Sequence, residues 1–224
     1  MNNRITLSLI LIMVIATLSG CTIPLGDFEY IGDKDPVTVP KTTHMIVILD
    51  FQLGVGSITL EVNPTASYLA YVENKVSIRE GSGAELEDAE EVSYIEMDTN
   101  TMKVLFNSKD EGIRVDFGYD ITIKVNNNIS LQINFGASIG DVTTSISDET
   151  ITVSALNLSA STGDVSLTLN TVKFSDSSPT VATSTGSHDI SLTKVNYSTS
   201  TTWDISTSTG IIDLALNDPN APGT

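Results

Sequence analysis

The chain is short of the residues that most chemistry needs, with one cysteine and two histidines in 224 residues. A single thiol excludes an intrachain disulfide, and Cys21, His44 and His188 together cannot form a Cys/His zinc cluster. Bases are scarce as well: 11 Lys and Arg stand against 28 Asp and Glu, a formal net charge of −17. Such a polymer repels phosphate backbones and anionic headgroups, which excludes nucleic acid as a partner. Aromatics are 6% of the chain, and its six tyrosines and Trp203 are scattered, so no sugar-stacking platform is expected. No phosphate-binding or dinucleotide glycine motif occurs, because the Gly-rich turns lead into strands rather than helices. With two imidazoles, and Ser and Asp everywhere, no catalytic constellation stands out, and no enzymatic activity is expected. His188 is expected as an exposed turn residue.

What is present begins with a targeting segment at residues 1–20. Arg4 supplies the positive start, and residues 5–18 form an apolar run too short for a comfortable membrane span. The run ends in Leu18-Ser19-Gly20-Cys21, which resembles the lipobox of prokaryotic lipoproteins. That resemblance implies cleavage before Cys21, lipidation of its thiol, and export with the domain outside the cytoplasm. The membrane is then a partner through the lipid anchor. Residues 21–43 carry Pro24, Pro36 and Pro40 without a sustained period and are expected to be a tether.

From residue 44 to 217 the hydrophobic period is two, in short β-branched runs bounded by Gly, Asn, Asp and Ser. No stretch there shows a helical stripe, so the fold class is all-β. A repeat is superimposed on the alternation. Gly118, Gly140, Gly163, Gly186 and Gly210 are 22, 23, 23 and 24 residues apart. Ser-Thr precedes the last three, and an apolar residue alternating with a small polar one follows each. A period of about 23 residues over 118–216 predicts a β-solenoid-like stack of short strands, since no single unit could bury its own apolar face. Ser and Thr make up 33 of residues 140–224, but the regular Val, Ile and Leu interleaving favours ordered coils over a mucin-like stalk. Residues 218–224 are expected to be a disordered tail.

The repeated Ser-Thr-Gly-Asp-Val-Ser-Leu type of motif resembles the toastrack-type putative-adhesin family of β-strand-repeat proteins on bacterial and archaeal surfaces. The segment Gly54-Val-Gly-Ser-Ile-Thr-Leu60 is similar to the start of such domains. The resemblance covers about residues 44–217 and implies a flattened, envelope-attached solenoid without catalysis or a cofactor. The sequence departs from the motif at Gly186 and Gly210, where two residues intervene before Asp189 and Asp213.

Three groups of candidate site residues follow. Asp120, Asp141, Asp164, Asp189 and Asp213 recur once per unit, and stacked coils lie about 4.8 Å apart. Such a row could share a hard cation such as Ca2+, or each Asp could simply accept hydrogen bonds from turn amides. A second group, eight acids without a base between Glu80 and Asp98, is expected to be a solvated loop. The third comprises the glycosylation sequons at Asn128, Asn157 and Asn196, which matter only in a host that glycosylates exported proteins. The function expected from these features is a non-catalytic, lipid-anchored surface protein with an adhesin-like or scaffold solenoid, binding envelope polysaccharide or another surface protein. An accessory role on a membrane partner and an envelope glycan hydrolase are the alternatives.

Overall fold

The computed structural model describes residues 27–41, 45–108 and 116–217; the targeting segment, Cys21, His44 and residues 218–224 lie outside them. The chain enters through β1 (Phe28–Pro40), β2 (Ile46–Val62), β3 (Tyr68–Arg79), a single 3-10 turn (Leu86–Asp88) and β4 (Ser93–Glu96). Pairs of strands follow: β5 (Thr101–Asn107) with β6 (Phe117–Val125), β7 (Ser130–Ile139) with β8 (Val142–Ser147), and β9 (Thr152–Thr162) with β10 (Val165–Asn170). The last two coils are β11 (Lys173–Phe174), β12 (Thr180–Thr185) and β13 (His188–Thr193), then β14 (Asn196–Tyr197), β15 (Asp204–Thr209) and β16 (Ile212–Asn217).

These strands form two walls around one core. The first wall runs β1-β3-β6-β2-β8-β10-β13-β16. The second runs β4-β5-β2-β7-β9-β12-β15, with β11 and β14 as short outer arcs beyond the start of β9. Pairing is parallel except where β1, β3 and β4 join, so the all-β, solenoid-like expectation holds. Each coil supplies alternate apolar residues to the interior, and in-register stacking aligns them in rows across coils. Leu60, Thr144, Leu167, Ile190 and Leu214 form one such row. In the other wall Phe51 stacks on Phe106 at 6.4 Å and meets Phe135 edge-on at 5.8 Å. Burying each such side chain contributes about 1.5–3 kcal/mol, which is how units too small to fold alone stabilise one another.

The order of coils differs from the order of the repeat. The spacing predicts that the unit at Gly118 lies directly beside the unit at Gly140, yet β2 is inserted between them, pairing β6 on one side and β8 on the other. The glycine row is therefore Gly56, Gly140, Gly163, Gly186 and Gly210, and Tyr119 rather than Gly118 stands opposite Gly56. Gly118 instead lies beneath the Phe28 ring. A local period cannot reveal this, because the intercalated coil, at Gly56, comes from 62 residues before Gly118.

The tether expectation is also corrected. Residues 28–40 form β1, which pairs antiparallel with β3 and buries Val39 completely. The alternation was hidden because β1 is an edge strand: register shifts break its ladder between Lys34 and Val37 and before Pro40, so prolines are tolerated there. The acidic segment is not only a solvated loop either. Ala89 and Val92 are buried, Leu86 packs on the core, and Tyr119 Oη accepts a hydrogen bond from Glu90 N at 3.0 Å. With β1 and β4 it closes the N-terminal end of the stack, its carboxylates facing outward.

Candidate functional site

The five aspartates of the repeat do not form one ladder. Asp120, Ser57, Asp141, Asp164, Ser187 and Ile211 occupy equivalent turn positions in successive coils. Asp189 and Asp213 lie two positions further on, inside β13 and β16, level with Ser166. The turns after Gly186 and Gly210 therefore do not bulge: His188 and Ile212 stay in register with Val165, and the aspartate simply stands two positions later.

The turn aspartates staple coil to coil. Asp141 Oδ1 accepts from Asp164 N at 2.8 Å, Asp164 Oδ1 accepts from Ser187 N at 2.7 Å, and Asp120 Oδ1 accepts from Ser57 Oγ at 2.7 Å. After Gly163 and Gly186, both at positive φ, the next turn amide is taken by the aspartate of the preceding coil. Among the described residues no group of three or more His, Cys, Asp or Glu is placed to hold a metal ion. Asp164→Ala is expected to cost about 1 kcal/mol in urea denaturation. A loss beyond about 3 kcal/mol would mean that the carboxylate does more than bind one amide.

His188 is a clear correction. Its ring is 1% exposed and points into the core, where Nε2 meets Ser206 O at 2.9 Å and Thr183 Oγ1 at 3.4 Å. The carbonyl contact makes Nε2 the donor, which leaves Nδ1 as the buried, unpartnered acceptor. It takes the inward place held by Val165 and Val142 in the preceding coils, so it is read as a turn residue only if the register is misplaced. Of the sequon residues, Asn128 is exposed at a bend, Asn196 is exposed on the short β14, and Asn157 is exposed on the outer face of the second wall.

That outer face carries the most organised polar surface. Alternation sends Asp50, Asn134, Asn157 and Thr180 outward at one level of four adjacent strands. Asn134 Nδ2 donates to Asp50 Oδ1 at 2.8 Å, and Asn157 Nδ2 donates to Asn134 Oδ1 at 2.8 Å. Lys103 Nζ meets the second Asp50 oxygen at 2.7 Å and balances its charge. One row lower, Ile48, Gln132 and Ala155 form a flatter, partly apolar strip.

The loop at residues 175–179 leaves the wall between β11 and β12 and raises one side of a groove of about 580 Å³ over these rows. Asp176 holds it in place: Oδ2 accepts from Leu156 N at 2.8 Å, and Oδ1 accepts from Ser178 N at 2.9 Å. The amide ladder went unnoticed in the sequence because Asp50 and Asn134 are 84 residues apart. Only the insertion of β2 makes them neighbours. Elsewhere, on the outer face of the first wall, the hydrogen bond from Lys124 to Glu73 at 3.2 Å raises the lysine pKa against the opposing pull of burial.

No family model matches the chain, and no curated protein matches it. Among solved structures it is similar to a putative cell adhesion protein from Clostridium sporogenes, at 13% identity over 84% of this chain and 99% of that one, with a TM-score of 0.47. It is also similar to putative adhesins from Bacteroides fragilis and Parabacteroides merdae. The first is 12% identical over 83% of this chain and 97% of that one, and the second 12% identical over 85% and 98%, each with a TM-score of 0.23.

Proposed function

We propose that the chain is a non-catalytic, adhesin-like surface protein, held to the membrane by lipid on Cys21, whose second wall binds envelope polysaccharide in the groove over Asn134 and Asn157. The amide ladder is the observation that carries this reading. Neutral amides and hydroxyls present paired donors and acceptors that match sugar hydroxyls, while Ile48 and Ala155 offer apolar surface to sugar C–H faces. In a chain of net charge −17 this groove holds only two carboxylates, Asp50 offset by Lys103 and Asp176 taken up by the amides of Leu156 and Ser178. Four strands at about 4.8 Å spacing give a track long enough for two or three sugar rings.

The test is a pull-down of the purified chain on the isolated envelope of its own host, before and after protease and periodate treatment, with calcium and with chelator. Saturable binding that survives protease, is lost on periodate oxidation, and weakens about tenfold in Asn157→Arg is the expected result. Asn157 is exposed, so that variant should fold normally. Binding lost to protease but not to periodate would place the partner among surface proteins. Loss on chelation would bring the aspartates of the turns into the site.

A further inference from the structure

The two ends of the stack are built differently. At the N-terminal end, antiparallel β1 and β4 and the Leu86–Val92 segment cover the core. At the C-terminal end, β15 and β16 present open edges, and among the described residues nothing pairs with their outer sides. The inward rows that are fully buried one coil earlier end here in the open: Leu214 is 43% exposed and Leu216 66%, against 0% for Ile190 and 5% for Leu192. With Trp203 and Ile205 they line an apolar recess of about 320 Å³. Stacked-repeat proteins need a polar cap at each end, and an open pair of strand edges is a template for another chain.

We propose that this end coil docks a second copy of the same chain, the two copies pairing antiparallel through β16 and through β15 about a two-fold axis normal to both walls. Three observations select this occupant. Residues 218–224 contain Pro219 and Pro222 and no Val, Ile, Leu or aromatic side chain, a composition unsuited to a strand ladder or an apolar recess. The opposite end finishes in β1, an edge broken by three register shifts and carrying Pro36 and Pro40, and in the four-residue β4, so a head-to-tail contact meets no regular edge there, and the closed two-fold arrangement remains. Charge also fits. The chain carries 28 acids, but the strands of this coil hold only Asp204 and Asp213.

Register completes the argument. Setting Leu214 opposite its own copy places Ile212 opposite Leu216, keeps these three facing inward, and puts Asp213 opposite Ala215 rather than another carboxylate. The same two-fold brings β15 beside its own copy and so extends both walls. The two N-terminal ends then lie at opposite poles of the dimer.

Sedimentation velocity of the purified full chain over a concentration series reads the proposal. A discrete monomer–dimer equilibrium is expected, weakened about 100-fold or more by the double substitution Leu214→Lys, Leu216→Lys. Both side chains are exposed, so the fold should survive. Leu214→Cys should in addition form an interchain disulfide, because directly opposed antiparallel residues have Cβ atoms about 5 Å apart. Ser93→Cys on exposed β4 should form none beyond any due to Cys21. A monomer throughout the series, a dimer indifferent to the double substitution, or growth into open polymers would each overturn it.

Discussion

Gly163→Ala is expected to lower stability by more than about 3 kcal/mol, or to prevent the C-terminal coils from forming. Gly163 sits at φ +137°, and an alanine Cβ there would overlap the Gly140 carbonyl of the preceding coil. The same overlap recurs at Gly56, Gly140, Gly186 and Gly210, each against the backbone of the coil before it. Coils held at ladder spacing have no room to yield, because moving one turn would break the hydrogen bonds of both walls. Gly81→Ala is the control: it also has positive φ but no atom within 4 Å of a built Cβ, so it should cost only about 1 kcal/mol. Urea denaturation of the two variants separates backbone strain from close approach. Equal losses would show that the glycine row is not a packing device.

The second large effect is expected from Leu167→Asp. Leu167 is fully buried in the middle of the first wall, between Thr144 and Ile190, and no basic side chain faces it there. An aspartate at that position loses the apolar contacts and places a carboxylate in the core without a partner, at a cost of about 4 kcal/mol or more. Thr168→Asp, one residue on and facing outward, should lose about 1 kcal/mol or less. Circular dichroism during thermal unfolding distinguishes the pair. Similar melting temperatures for both would mean that the inward face is wrongly assigned.

Much of this architecture can be read from local pattern. Alternation in Val165-Ser-Leu-Thr-Leu169 names the inward residues, since a strand turns its side chains by period two whatever it packs against. The Gly-Asp turns at 140 and 163 likewise announce a corner, because few other residues adopt that backbone. Edge elements are less legible. β1 mixes Lys, Asp and Pro with few apolar residues because only one side of an edge strand is paired, and the acidic segment hides its three core contacts among carboxylates.

The candidate site was largely illegible, and for one physical reason. A chain determines by itself the properties that depend on neighbours within a few residues. These are its strands, its turns, its scarcity of thiols and imidazoles, its acidic balance, and the period that demands stacking. Which coils become neighbours depends on how apolar faces of similar shape compete to cover one another, and this was decided only on folding. β2 is inserted between coils that follow each other in the sequence, and that insertion moves Asp50 beside Asn134, replaces Gly118 by Tyr119 in the glycine row, and sets Ser57 between Asp120 and Asp141. The burial of His188 and the exposure of Leu214 were settled in the same way, by the number of coils that lie on either side.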